Sequence, residues 1–262
     1  MDCHIPEGRP RVPCDPSQVG CDEIQKRHGR QKSMSHSCPG VDNTRVKTRE
    51  DFYQPGIPAK PGEHYRAFIR FARRHAGVSV LDLGCGFGAY SGVLLSDGVR
   101  CVGCDINFEY LRKATTQGLP VVNVDSVLPF GDRTFDSVMI FEVLEHVPDV
   151  QAVLREAFRV ARKNVLITVP NSEDIEVMKA NDVTYAHMLS SDHLHFFESG
   201  SLENLLRRYS TEVSIERSDP IYPFWFLRRS APFYAVKALF WLGFIKPRFF
   251  SRLYAVARVR EN

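Results

Sequence analysis

The chain has 262 residues, enough for one α/β domain with additional segments. Hydrophobic residues make up 44% and charged residues 25%, an ordinary globular balance, and a formal net charge of +3 is too small to argue for a nucleic-acid partner. No charged-then-apolar leader opens the chain and no run of 18 apolar residues occurs, so neither a secretory signal nor a membrane-spanning helix is expected.

Residues 1–50 are rich in Gly, Pro, Ser, Arg, Lys and Asp and carry little apolar periodicity, which predicts a disordered tail. The tail holds Cys3, Cys14, Cys21 and Cys38 with His4, His28 and His36, but their spacing fits no compact zinc finger, so no metal is expected there. From about residue 63 the pattern turns amphipathic: Tyr65, Phe68, Ile69 and Ala72 recur at helical spacing with arginines on the other face. Short apolar runs at 78–83, 99–104, 120–124, 136–141 and 164–169 then alternate with helical patterns at 89–96, 107–117 and 149–162. Strands separated by helices in this rhythm predict an α/β fold, a parallel sheet with right-handed crossovers. A helix over 199–209, a strand over 212–216 and an alternating run over 254–260 complete the reading. Cys85, Cys101 and Cys104 lie in apolar runs and read as buried thiols, which points to a reducing, cytoplasmic setting.

The first of these strands ends in V-L-D-L-G-C-G-F-G-A, residues 80–89. A strand passing through such a turn into a helix brings backbone N–H groups close to a ligand. Gly84, Gly86 and Ala89 satisfy the dinucleotide pattern G-x-G-x-x-A, so glycine spacing alone does not choose the ligand. Asp82 weighs against a pyrophosphate: at roughly 6 Å and an effective dielectric near 20, each like-charge pair costs about 3 kcal/mol. S-adenosylmethionine carries an ammonium and a sulfonium and no phosphate, and an acid there favours it. Asp105 ends the next strand, 19 residues after Gly86, where a carboxylate can accept both ribose hydroxyls. Asp125 ends the following strand, within reach of an adenine amino group, with apolar neighbours for the ring.

The segments D-L-G-C-G-F-G, C-D-I-N, N-V-D-S-V-L-P-F-G-D-R-T-F-D-S-V and F-E-V-L-E-H-V, in this order, resemble the class I S-adenosylmethionine-dependent methyltransferases. The similarity is to the branch that includes ubiquinone and menaquinone biosynthesis enzymes, over residues 65–215 and the final strand. It implies a Rossmann-like, seven-stranded, mostly parallel sheet with helices on both faces and the last strand antiparallel. It also implies S-adenosylmethionine as cofactor, with contacts at Asp82, Gly84, Gly86, Asp105, Ile106, Asp125, Ser126, Phe141 and Glu142. The bare or small positions Cys85 and Gly88 complete the loop, Cys85 as a small side chain that fits a turn.

Ligands of α/β sheets bind outside the carboxyl ends of the strands, which brings Glu142, Glu145 and His146 near the transfer site. The E-H pair is common in the resembling family across many substrates, which favours a structural or cofactor-side role for His146 over a substrate-specific base. No N-P-P-Y-type tetrapeptide follows that strand, against methylation of an adenine or glutamine amino group. The long segment after 164–169 ends in D-H-L-H-F-F. There His193 and His195 read either as a general base or as side chains tying the loop to the next helix N-terminus. A metal on Asp192, His193, His195 and His187 is weighed and set aside.

Residues 218–250 hold 11 of the 29 aromatic residues and both tryptophans, with Arg228, Arg229, Lys237, Lys246 and Arg248 against the single acid Asp219. This composition suits a lid, a packed helical element or dimer contact, or a membrane-surface element. The expected organisation is a tail over 1–50, a methyltransferase domain over 51–217 with 251–262, and an insert over 218–250. The expected activity is methyl transfer to a small-molecule acceptor, lipid-linked or glycan-derived, with no nucleic-acid partner; peripheral membrane contact is one of the roles open to the insert. A nicotinamide-dependent oxidoreductase and a non-catalytic binding protein are the alternatives. The oligomeric state is not legible.

Overall fold

The computed structural model describes residues 63–125, 127–180, 192–221 and 231–260. The N-terminal Cys/His tail, Ser126 and His187 lie outside the described residues. The elements run α1 Glu63–His75, β1 Ser79–Leu83, α2 Ala89–Ser96, β2 Arg100–Asp105, α3 Phe108–Thr115, β3 Val121–Asn123, β4 Phe135–Phe141, α4 Val150–Val160, β5 Ala161–Pro170, α5 Ile175–Ala180, α6 Ser199–Leu206, β6 Val213–Ile221, α7 Ala231–Trp241 and β7 Phe249–Arg258.

The seven strands form one sheet in the order β3-β2-β1-β4-β5-β7-β6. The β1–β2, β2–β3, β1–β4 and β4–β5 pairs are parallel, and β7 runs antiparallel to both β5 and β6. The α/β architecture and the antiparallel last strand are therefore as expected. Because side chains alternate along a strand, each face of the sheet builds its own core. Val80, Met139 and Leu166 pack with Ala67, Phe68, Phe71 and Ala72 of α1 and Leu94 of α2. Their neighbours Leu81, Val138, Ile140, Val165 and Ile167 pack with Leu154, Ala157 and Phe158 of α4 and Leu202 and Leu206 of α6. Three layers result, with the sheet in the middle.

Local chemistry sets the element ends. The Asn107 side chain accepts from the N–H groups of Glu109 (2.9 Å) and Tyr110 (3.2 Å) and starts α3. Asp149 accepts from Ala152 N–H at 2.9 Å and starts α4. Asp136, buried at the start of β4, accepts from Val78 N–H at 3.0 Å and pairs with Arg162 and Lys163 of β5.

Two expectations change. The strand read over 212–216 continues to Ile221 and the final strand begins at Phe249, so residues 218–221 and 249–250 of the expected insert belong to the sheet. Asp219 sits at φ 56 and Pro220 follows it, an irregular stretch that an edge strand such as β6 tolerates. The alternation read over 254–260 predicts one wet face, yet Tyr254 and Ala255 are both buried. The reason is position: β7 lies between β5 and β6, with core on both sides.

Candidate cofactor and transfer site

The carboxyl ends of β1, β2, β3 and β4 converge on the turn after Leu83, as a parallel sheet requires. Gly84, Gly86 and Gly88 all have positive φ (80, 53 and 75), a conformation that only glycine adopts freely. At Gly84 the bareness also serves packing, because an added Cβ would lie 2.4 Å from Val143 Cγ2. At Gly88, which caps α2, a Cβ would lie 2.8 Å from Leu119 Cδ2, so helix packing explains that position.

Cys85 faces inward. It is buried and its sulfur fills the space beside Gly103 of β2, where a Cβ would approach to 2.7 Å. Burial, reinforced by Asp82 and Asp105, pushes its thiol pKa up, and Cys101 and Cys104 are pushed up to about 12 mainly by burial. All three are inert free thiols, as expected.

The acids differ in role. Asp82 is buried and accepts the Ser91 hydroxyl of α2. Burial raises its pKa to about 6, with Ser91 opposing and Asp105 adding to the rise. Asp105 accepts Gly86 N–H through Oδ2 (2.9 Å) and Asn107 N–H through Oδ1 (2.8 Å), which clamps the glycine turn to the end of β2. The Gly84 and Cys85 N–H groups both donate to Cys104 carbonyl, at 2.7 and 2.9 Å. Asp125 is exposed beyond β3. Beside these acids, Ile106 (67% exposed) and Val127 (71% exposed) present large apolar side chains to solvent. Carboxylates for hydroxyl and amino groups and exposed apolar side chains for a ring form a donor set that fits a cationic adenine nucleoside without phosphate.

At the end of β4, Phe141 is buried in the aromatic cluster with Phe68 (5.6 Å between centroids), Phe71 (5.9 Å) and Tyr90 (5.8 Å). It is a wall of the core and offers the site no exposed ring. Glu142 follows at φ 55, and Arg252 Nε donates to its Oε2 at 3.0 Å. Arg252 also reaches Asp219 Oδ2 at 3.3 Å, and the Tyr254 hydroxyl donates to the same oxygen at 3.2 Å. Sequence reasoning missed this network. The available signal was an arginine inside the apolar run F-F-S-R-L-Y-A-V-A, together with Asp219 as the lone acid of its segment.

The histidines meet on one turn. His146 and His193 lie with ring centroids 4.9 Å apart, and His146 Nδ1 is 3.3 Å from Asp192 Oδ2. Burial lowers the His193 pKa, with His146 adding to the effect against Asp192 and Glu142. His195 Nε2 contacts Val147 carbonyl at 2.9 Å, while the Leu194 and His195 N–H groups donate to Glu145 carbonyl at 2.7 and 3.2 Å. The loop is thus tied to the 145–147 turn and not to the α6 N-terminus, where Ser199 N–H donates instead to Glu173 at 3.0 Å. Glu145, His146 and His193 bring their ligand atoms within 4.8 Å of one another, a set able to hold a divalent cation. His195 does not join it.

Residues 81–169 match the family described as "Methyltransferase domain". The likeness covers about a third of the chain. A demethylmenaquinone methyltransferase from Thermobifida fusca is 38% identical over 105 residues, 37% of this chain and 44% of that protein. A demethylmenaquinone methyltransferase from Corynebacterium kroppenstedtii is 30% identical over 145 residues, 55% of this chain and 56% of that protein. The chain thus spans about half the length of these relatives. The fold matches a Thermotoga maritima S-adenosylmethionine-dependent methyltransferase, a possible histamine N-methyltransferase, with TM-score 0.55, 15% identity and coverage of 75% of this chain and 89% of that one. It also matches a methyltransferase of the same dependence from Archaeoglobus fulgidus, with TM-score 0.52, 19% identity and coverage of 75% and 91%. The matched stretch contains the glycine turn, Asp105, Asp125, Glu142 and His146, while Arg252, Asp219, His193 and His195 lie beyond it.

Proposed function

We propose that the chain methylates a small apolar acceptor of the quinone type, using S-adenosylmethionine. Bound S-adenosylmethionine supplies a methyl group on a sulfonium: an electron pair of the acceptor forms the new bond to the methyl carbon as the S–C bond breaks, leaving neutral S-adenosylhomocysteine and a proton to be removed. The chain's own residues bind, orient and exclude water. In this reading Asp105 accepts the ribose hydroxyls, Asp125 the adenine amino group, and Ile106 and Val127 flank the ring. His146 and His193 handle the proton.

The observation that carries the reading is the exposed apolar pair Ile106 and Val127 standing beside Asp105 and Asp125 at the carboxyl ends of β2 and β3, within or next to the matched family stretch. The quinone-type acceptor is taken from the names of the relatives. Calorimetry tests the cofactor: S-adenosylhomocysteine binds and NADH does not, and Asp105→Ala weakens the binding at least tenfold. A metabolite-extract incubation with isotopically labelled methyl donor identifies the acceptor, and label appearing only in nucleic acid or protein would refute it.

The reading extends to peripheral membrane contact by the insert; because 218–221 and 249–250 lie in the sheet, the catalytic domain takes in 51–221 and 249–262. Trp241 is 84% exposed and Phe244 77%, and Leu242 and Tyr234 are exposed beside them. Lys237, Ala238, Phe240, Trp241 and Pro247 line a depression of about 270 Å³. Residues 218–250 hold Arg228, Arg229, Lys237, Lys246 and Arg248 against the single acid Asp219, a balance that suits an anionic bilayer surface. None of the helices among the described residues is long and apolar enough to cross a membrane. Flotation with anionic liposomes should be lost on Trp241→Ser with Phe244→Ser; an intact chain that never floats would end this part of the reading.

A further inference from the structure

Glu142 stands at the carboxyl end of β4, and its neighbour Val143 fills the space a side chain at Gly84 would need. The residue is therefore one position from the glycine turn. In the sheet order β3-β2-β1-β4-β5-β7-β6, Asp105 and Asp125 lie on the β2–β3 side of that turn and Glu142 on the opposite side, toward β7. The adenosine end of a cofactor held by Asp105 and Asp125 thus points away from Glu142.

The Glu142 carboxylate is half satisfied. Oε2 accepts from Arg252, whereas Oε1 is buried and has no hydrogen-bond donor among the described residues. A buried carboxylate oxygen without a donor costs free energy, and such groups mark places where a ligand supplies the missing partner. The side chain as a whole stays 18% exposed, so solvent reaches part of it. Its placement is held at some cost. Glu142 and Asp219 are two of the four non-glycine residues with positive φ among the described residues, and one guanidinium joins them. Backbone strain of this kind persists where surrounding structure fixes a functional geometry. Arg252 lies over the Phe68 ring at 5.3 Å, which locks its orientation from below.

We propose that Arg252 and Asp219 position Glu142 so that Oε1 accepts a hydrogen bond from a hydroxyl or amine on the methyl acceptor. Glu142 then selects acceptors that carry a donor near the methylated atom, and Arg252 is its positioning residue. The proposal rests on the methyltransferase reading and adds the chemistry of the acceptor. A guanidinium fork suits this task better than an ammonium because it fixes the plane of the carboxylate it holds.

The test uses the full chain loaded with S-adenosylhomocysteine and two probes, 1,4-dihydroxynaphthalene and 1,4-dimethoxynaphthalene, titrated without oxygen. The two share a ring system and differ in the ability to donate. The unaltered chain should bind the dihydroxy probe at least tenfold more tightly. Glu142→Gln should cut that preference below threefold while S-adenosylhomocysteine affinity stays within threefold. Arg252→Met should do the same and Arg252→Lys should recover part of the preference, which a merely structural role would not produce. If Arg252→Met does not fold, Glu142→Gln decides. Equal binding of the two probes by the unaltered chain, or binding of neither, overturns the proposal. So does a Glu142→Gln variant that loses affinity for S-adenosylhomocysteine but not for 5′-methylthioadenosine, because Glu142 would then be the counter-charge of the cofactor's amino acid. Failure of the unaltered chain to bind S-adenosylhomocysteine at all removes the methyltransferase reading itself.

Discussion

Replacing Asp82 with Asn should stabilise the cofactor-free protein at pH 8. Asp82 is buried, and burial lifts its pKa from an ordinary 3.8 to about 6. An acid raised in this way favours folding in its protonated form. Its contribution is fully present below pH 3.8 and is lost as pH rises through about 6. Above that, the folded chain carries a penalty of about 3 kcal/mol for keeping the charge inside. Asp82→Asn removes the titration, and its amide oxygen can still accept the Ser91 hydroxyl. At pH 8 the variant should therefore gain up to about 3 kcal/mol, a rise in melting temperature on the order of 5–10 °C for a domain of this size. At pH 4 the two proteins should melt together. Adding S-adenosylmethionine should narrow the gap at pH 8, because a cationic ligand rewards the ionised aspartate and not the amide. Thermal unfolding followed by circular dichroism at the two pH values, with and without ligand, measures all four quantities. A variant that melts lower than the unaltered chain by the same amount at pH 4 and pH 8 would refute the reasoning.

Gly84→Ala should lower stability by about 2–4 kcal/mol and abolish S-adenosylhomocysteine binding in calorimetry, since φ 80 and the 2.4 Å approach to Val143 leave no room for a methyl group. Ile106→Ser should leave the melting temperature unchanged and weaken S-adenosylhomocysteine by about tenfold, because an exposed side chain contributes only when a ring covers it. Asp136 gives the protein an acid-sensitive joint. Burial raises its pKa, but Arg162, Lys163 and Val78 N–H together bring it down to about 2, so the stability it provides is present above pH 3.8 and disappears as pH falls toward 2. Acid titration of the native signal should show this loss, and Asp136→Asn should blunt it. His195→Ala should cost about 1 kcal/mol in urea denaturation, the worth of its bond to Val147, with cofactor affinity intact.

The fold was legible wherever local patterning and tertiary burial agree. The helix read over 89–96 coincides with α2 because the glycine turn fixes its start, and Asp97-Gly98 ends the apolar period. The strand over 136–141 was readable because all seven residues of β4 are buried, so its sequence is an unbroken apolar run apart from Asp136 and Ser137. The last two strands were harder. The alternation at 254–260 marked a strand but not its start, because β7 is buried on both faces by non-local neighbours, and the antiparallel pairing of Arg252 with Ser218 and Pro170 is set by residues tens of positions away. The same holds for the site. Asp105 and Asp125 follow from their distance past the glycine turn, a local rule. The Glu142–Arg252 contact spans 110 residues and the Arg252–Asp219 contact 33, and no spacing within the chain announces either.

Asp82 is not the main barrier to a phosphate-bearing cofactor at this turn. Asp82 repels an anion only while ionised, and its raised pKa and its bond to Ser91 weaken it as a sentry. The stronger discrimination comes from where the loop's own donors go. A dinucleotide site works because free backbone N–H groups of the glycine turn meet the pyrophosphate. Here Gly86 N–H is already given to Asp105 Oδ2 at 2.9 Å, and the N–H groups of Gly84 and Cys85 are given to Cys104 carbonyl at 2.7 and 2.9 Å. A pyrophosphate entering this turn would have to displace a carboxylate from the N–H it wants and then lie against that carboxylate. A ligand that brings hydroxyl and amino groups finds acceptors instead, at Asp105 and Asp125, and needs nothing from the turn but its lack of side chains. The preference for a nucleoside without phosphate is therefore built into the hydrogen-bond accounting of the loop, and it would survive the neutralisation of Asp82.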